Sequence, residues 1–349
     1  MRSPNLAVAF ASPPMTQPPH MKNSKPRTLR AAFSKTTFDD KIGSMMSSTI
    51  SEWYDAKHPY TSAEEVNLIN SIPISQCPYC HSRFVKKYGK RRDGIQNYFC
   101  NSCERRFNPL TGTLFDSRKI PVSEWIEYLI HLFQYQSLSV ASIDNVNSRN
   151  TGKYWLKKVF SVLSGYQDKI RFSGTVWVDE TYLQEPPRAT VMKEGKRMAG
   201  LSRNQICVVT MAQEGHAILI PCGHGKPSKK RIRDALLPYM KDVSKVVDDG
   251  EKSHAAITSE LGIEREVHTS SETKGMEDSL NPMDMVNTVH RFFKMFMHSH
   301  GGYARKDIRD WCNLFAFIFN HHGNLPKMIH DFFDMALKVR KIIRYRDKN

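Results

Sequence analysis

Residues 175–183 read Thr-Val-Trp-Val-Asp-Glu-Thr-Tyr-Leu, TVWVDETYL, near the middle of the chain. A short apolar run with a β-branched bias ends abruptly in two carboxylates, Asp179 and Glu180, and that pattern predicts a buried strand. Acids at the end of such a strand are costly to keep out of water unless a cation sits on them. The alternative is a strand that runs into a polar turn, with both acids solvated. The rest of the chain decides between the two.

At 349 residues the chain is long enough for two or three domains. Hydrophobic residues make up 40% and charged residues 25%, as in an ordinary globular protein. The charge balance is less ordinary: 51 basic against 35 acidic residues give a net charge of +16, and the pI of about 9.5 favours a polyanionic partner. No stretch approaches the roughly 18 to 20 continuous apolar residues of a membrane span. The N-terminal LAVAFA is too short for a signal peptide and is followed by Pro13 and Pro14, so secretion is not expected. Residues 1–49, rich in Pro, Ser, Lys and Arg, read as a disordered basic tail in which Met21, Met45 and Met46 offer later starts.

Residues 50–118 hold a short helix, with Thr61 or Ser62 as cap and Glu64 and Glu65 in its first turn, and then two cysteine pairs. Cys77 and Cys80 are separated from Cys100 and Cys103 by nineteen residues, so the pattern is C-x2-C-x19-C-x2-C. Each C-x2-C turn brings two thiolates toward one point, and zinc takes four such ligands tetrahedrally. A structural zinc ion on Cys77, Cys80, Cys100 and Cys103 is therefore expected. Cys207, Cys222 and Cys312 read as buried small hydrophobes. The stretch between the pairs is basic and aromatic, with Lys86, Lys87, Lys90, Arg91 and Arg92 around a turn at Asp93-Gly94, and is expected to meet a DNA backbone.

Residues 119–168 read as helical. IPVSEWIEYLIHLFQ, with Pro121 and Ser123 at its start, places Trp125, Leu129, Leu132 and Phe133 on one face. Two further helices broken near residues 147–150, the second carrying Lys153, Lys157 and Lys158, follow the helix-turn-helix plan and make these lysines candidate DNA contacts; plain helix packing is the alternative. From 169 to 322 strands take over. QICVVTMA (205–212) and HAILIPCG (216–223) should pair as an antiparallel hairpin about Glu214-Gly215. An amphipathic helix with Ile232, Leu236 and Leu237 inward, a strand at SKVVDDG, a short helix, a strand near REVHT and a long helix from about 282 to 298 follow. This order predicts an α/β domain with a ribonuclease H-like mixed sheet. Residues 323–349 read as a basic C-terminal helix.

Asp249, after the apolar Val246-Val247 and before Gly250, also stands at a strand end, 70 residues beyond Asp179. Neighbouring strand ends are where ligand and metal sites collect. Two carboxylates brought together there repel unless one is protonated or a divalent cation lies between them. Mg²⁺ suits such carboxylates, and paired ions activate an attacking hydroxyl and stabilise a leaving oxygen. On the long helix, Asn287 and Lys294 lie two turns apart and share a face, near His290 and Arg291. Either Asp248 or Asp249 can be the second ligand, and Asp284 is an acidic substitute for Asn287.

With CPYC/CNSC, KIPVSEWIEYLIHLF, VWVDETYL, GLSRNQICVV, VVDDGEKSH, VNTVHRFFKMF and GGYARKDIRDWCNLFAFIFN in that order, the chain resembles an insertion-sequence transposase of the DDE superfamily, in the ISXO-like group with an N-terminal zinc ribbon. The resemblance covers roughly residues 70–320. It implies a ribonuclease H-like catalytic domain using Mg²⁺ or Mn²⁺, with a set that falls on Asp179, Asp249, Asn287 and Lys294. The first three would hold the metal and Lys294 the DNA backbone. It further implies cleavage and transfer of double-stranded DNA at transposon terminal inverted repeats, a homo-oligomer on that DNA, and a cytoplasmic, nucleoid-associated bacterial location. The segment at Tyr303, Ala304 and Arg305 departs from the group's G-V-x-T-K-Y pattern. Two other readings stay open: a DNA-binding protein whose sheet domain is inactive, and a structure-selective nuclease that does not join strands.

Overall fold

The computed structural model describes residues 48, 62–116, 122–144, 147–184, 192–193, 196–197, 205–301, 304–339 and 343. The basic tail with its alternative starts, the cap at Thr61, Pro121, most of GLSRNQ and Tyr303 lie outside the described residues.

The expected strand at 175–183 is the middle of β4 (Ser173–Gln184), the central strand of a five-stranded mixed sheet. Its partners are β7 (Gln205–Gln213), β8 (His216–His224), β9 (Asp242–Asp248) and β10 (Glu264–Val267), in the order β10-β9-β4-β7-β8. β4, β7 and β8 run antiparallel in succession, with Gly215 at φ +90° in the β7–β8 turn, while β9 pairs with β4 and with β10 in parallel. Between β4 and β7 a two-residue ladder joins β5 (Met192–Lys193) to β6 (Lys196–Arg197).

The period of two along β4 divides its residues between two layers. Val176 and Val178 pack with Val209, Met211, Ile218 and Ile220 beneath α5 (Lys229–Leu236) and α6 (Lys252–Leu261), which contribute Ile232, Ala235, Leu236 and Ile257. Leu237, expected inward, is 36% exposed, because the α-helix ends at Leu236 and Pro238 tightens the next turn into a 3₁₀ helix. After β10 comes a single capped turn, α7 (Ser270–Thr273). On the other face, Leu183, Val208, Ala212 and Leu219 meet α8 (Asp284–Ser299) and α9 (Ile308–Phe319) through Val289, Phe293, Phe296 and Phe315.

The N-terminal helices join that second layer. α1 (Ser62–Asn70), α2 (Val122–Phe133), α3 (Leu138–Asp144) and α4 (Arg149–Leu163) share one apolar core with α8, α9 and the C-terminal α10 (Leu325–Lys338). Trp125, Leu129, Leu132 and Phe133 are buried, and Trp125 stacks on Trp155 of α4 at 4.0 Å. Ser148 caps α4 by accepting from the N–H of Thr151 at 3.2 Å.

The cysteine region is a three-stranded antiparallel ribbon, β1 (Val85–Lys90), β2 (Gln96–Cys100) and β3 (Arg106–Phe107). Its own apolar centre holds little beyond Cys77, Cys100, Phe107, Val85 and Tyr98. Burial on that scale is too small to fold a ribbon by itself. The far turn is tied to α1: the Asn70 side chain donates to Gly94 O at 3.1 Å and accepts from the N–H of Gln96 at 2.8 Å.

Candidate metal and nucleic-acid sites

The parallel pairing of β4 with β9 ends at Trp177↔Val247. Two residues further on stand Asp179, still within β4, and Asp249, one residue past the end of β9. They lie at the carboxyl ends of a parallel pair, where such sheets place their ligand sites. Asp179 also pairs across β7 with Thr210. Burial, and then the negative charge of Asp249, push the Asp179 carboxyl up to about 7. A buried carboxyl that also feels the charge of a second acid is stabilised by a hard divalent cation, so the donor chemistry fits one.

The neighbouring acids face the other layer and are already engaged. Glu180 Oε1 lies 3.0 Å from His254 Nε2, and His254 Nδ1 lies 3.8 Å from Asp248. Asp248 takes both of its oxygens to Arg265, at 2.7 Å each, and accepts from the N–H of Gly250 at 2.7 Å. Burial opposes a charge on Asp248, yet His254, Arg265 and the Gly250 N–H hold its pKa below the usual range. Burial also opposes a charge on His254, but Asp248 and Glu180 raise it to about 10. Donor atoms of Asp248, Asp249 and His254 fall within 4.8 Å of one another. With Asp248 bound to Arg265 and His254 protonated, Asp249 is the member of that group with chemistry to spare. Gly250 takes φ +94°, a conformation L side chains rarely adopt, and turns the chain just past Asp249.

Helix α8 is laid over Asp179. Trp177 Nε1 donates to Pro282 O at 2.8 Å, and Met283 and Val286 pack on Val247 and Trp177. His290 is buried; its Nε2 shares a 3.0 Å hydrogen bond with Thr210 Oγ1, and its Nδ1 is 3.7 Å from Asp179 Oδ2. Burial, with a smaller contribution from Lys294, lowers the His290 pKa to about 3, so the ring is neutral. Asn287 and Lys294 are both exposed on α8, and among the described residues no hydrogen bond joins Asn287 to either aspartate. Asp284 stands in the first turn of α8 and accepts from Thr288 Oγ1 at 3.3 Å. His254, Arg265 and Thr210 carry no sequence signal of their own; they are met only when the strands are assembled.

The four ribbon cysteines converge. Cys77 and Cys103 sulfurs are 3.6 Å apart, as are those of Cys80 and Cys100, and all four fit within 4.8 Å. Burial resists ionisation of Cys100, but the backbone N–H groups of Cys103 and Ser102 and the adjacent thiols bring its pKa down to about 6. Four converging thiols with N–H groups on the sulfur could hold a metal ion, and the set suits zinc.

Lys86, Lys87, Lys90, Arg91 and Arg92 are all exposed on β1 and the turn after it. They are interleaved with aromatic rings: Phe84 is 74% exposed, Arg106 lies 4.4 Å over Tyr88, and Arg105 lies 5.0 Å over Tyr79. Lys153 is exposed on α4 and Lys157 half-buried. Lys158, expected to touch DNA, is a correction: it is buried, donates to Leu114 O at 2.6 Å and lies over the Tyr154 ring at 4.9 Å. The 3.6-residue period turns it into the core one residue after Lys157. Among the described residues no helix is long and apolar enough to cross a membrane.

Fold and sites together describe a mixed α/β protein with two separate candidate metal centres and a cationic ribbon. No family model matches the chain. It is similar to the uncharacterized protein in transposable element ISH50 of Halobacterium salinarum, 24% identical over 254 residues that cover 68% of this chain and 83% of that one. Two solved structures overlay more loosely. The Mos1 strand transfer complex is 13% identical, covering 63% of this chain and 78% of that chain at a TM-score of 0.27. The pre-cleavage Mos1 transpososome is 11% identical, covering 85% and 97% at 0.26. Overlays this loose carry no structural inference.

Proposed function

We propose that this chain is an insertion-sequence transposase of the DDE type, cleaving and joining DNA at the ends of its element through a ribonuclease H-like core. The observation that carries the reading is the pair Asp179 and Asp249, each just past the last paired residues of β4 and β9, with the charge of Asp249 raising the Asp179 carboxyl. The strand order, three antiparallel strands followed by two parallel ones with β4 at the centre, supports it, as does a relative found in a transposable element.

In this reading Asp179, Asp249 and Asn287 hold Mg²⁺ or Mn²⁺, which when bound lowers the barrier to attack on a phosphodiester and to departure of the leaving oxygen. Lys294, exposed on α8, holds a DNA phosphate as a point charge. The pair Glu180–His254 and the Asp248–Arg265 clamp fix the strands that carry the two aspartates. The ribbon cysteines hold structural zinc. Lys86, Lys87, Lys90, Arg91 and Arg92 lie along the backbone, and the exposed first turns of α4, with Arg149, Asn150 and Lys153, face DNA as a recognition helix does.

The test is incubation of the purified protein with Mg²⁺ or Mn²⁺ and duplexes ending in the inverted repeats that bracket its gene. Joined product supports transposition, and Asp179→Ala should abolish it. Cut but unjoined DNA indicates the nuclease reading. Binding with neither product indicates a DNA-binding protein with an inactive core. Cleavage that survives Asp179→Ala removes the proposed site.

A further inference from the structure

Resting on the metal site proposed above, one feature of α8 points away from its exposed asparagine and toward the buried face. The side chain of His290 is 8% exposed, and its two ring nitrogens have different surroundings. Nε2 is held by Thr210 Oγ1 at 3.0 Å, and Thr210 is itself the cross-strand partner of Asp179. Nδ1 faces Asp179 Oδ2 at 3.7 Å, too far for a hydrogen bond, and makes none with any described residue. Among the described residues Asp179 Oδ2 likewise makes no hydrogen bond, the N–H of Glu180 going to Oδ1.

A carboxylate oxygen and an imidazole nitrogen that face each other without a shared proton have the geometry of two donors to one cation. Metal-binding histidines characteristically have their second nitrogen fixed by a hydrogen bond, as Thr210 fixes this one. Asn287, one turn earlier, is exposed. We propose that His290, through Nδ1, is a protein donor to the divalent cation held by Asp179, additional to the set that the motif resemblance implies. An imidazole in the set favours Mn²⁺ over Mg²⁺.

The test uses the full chain with its cysteines loaded with zinc, Mn²⁺ as the probe, and pulsed electron paramagnetic resonance to detect nitrogen bonded to manganese. The wild type should show ¹⁴N coupling, replaced by ¹⁵N coupling in protein grown on ¹⁵N-histidine, a control that needs no mutation. His290→Gln should lose the coupling and weaken Mn²⁺ binding at least about tenfold, whereas His254→Gln should keep the coupling. Coupling that persists in His290→Gln, or disappears in His254→Gln instead, overturns the proposal. So does Mn²⁺ affinity lost in Asn287→Ala but kept in His290→Gln. Mn²⁺ bound without nitrogen coupling overturns the role of His290 and leaves the two-aspartate reading standing. A wild type that binds no Mn²⁺ overturns both.

Discussion

At the scale of single residues, the molecule puts charge inside only where it is answered. Lys158 is the exception that can be measured. Its ammonium lies among Trp125, Tyr154 and the Leu114 carbonyl, and burial, only partly offset by Asp116, lowers its pKa to about 8 from 10.5. Below about 8 the amine is charged in both the folded and unfolded chain. Between the two values the unfolded chain binds a proton that the folded one does not. Stability must therefore rise with pH across that window, by up to about 3 kcal/mol from this group. Lys158→Met should match or exceed wild-type stability at pH 7, and its advantage should shrink as pH rises toward 10.5. Urea denaturation of both proteins at pH 7, 8.5 and 10 checks this; a constant difference would show that the amine does not titrate in the fold as stated.

At the scale of elements, close approach of backbones decides where helices sit. Gly152 in α4 lies against Ser142 in α3, and a methyl added there would stand 2.0 Å from Ser142 Oγ. That hydroxyl donates to Leu138 O at 2.6 Å, while Tyr128 donates to Gly152 O at 2.9 Å, so three helices meet at one spot. Gly152→Ala should cost about 1–3 kcal/mol by overpacking. Adding Ser142→Ala, which removes the clashing oxygen, should recover most of that loss. A double-mutant cycle in thermal unfolding that gives simple additivity would mean the two helices separate rather than clash.

At the scale of the whole molecule, charge and core are arranged on different parts of the structure. The helical layer and the sheet share one apolar core, and the outer edge of β8 is closed by side chains: Asn320 pairs with both backbone groups of Ala217, and Gln167 with both of Leu219. Among the described residues the ribbon is densely cationic, with Lys86, Lys87, Lys90, Arg91 and Arg92 all exposed. In salt titrations of duplex DNA binding, replacing Lys86, Lys87 and Lys90 with alanine should flatten the slope of log K against log salt by roughly 0.9 for each phosphate that the ribbon no longer neutralises. Lys158→Met should leave that slope unchanged. An unchanged slope for the ribbon variant would place the DNA elsewhere.

Much of this was legible along the chain, because local periodicity and spacing are local physics. Alternation in TVWVDETYL, the hairpin about Glu214-Gly215, the amphipathic helices and the two C-x2-C turns each follow from a few neighbouring residues, and each has its counterpart in the fold. Only the tertiary structure decided which groups meet. It engaged Asp248 with Arg265 and brought the charge of Asp249 to bear on Asp179, contacts that two adjacent identical residues do not announce in sequence. It turned Lys158 inward and Leu237 outward, since one residue of helical phase reverses a side chain. It set His290 against Asp179 across 111 positions of chain. Contacts of that range depend on strand register and helix placement, and no pattern confined to a few consecutive residues encodes them.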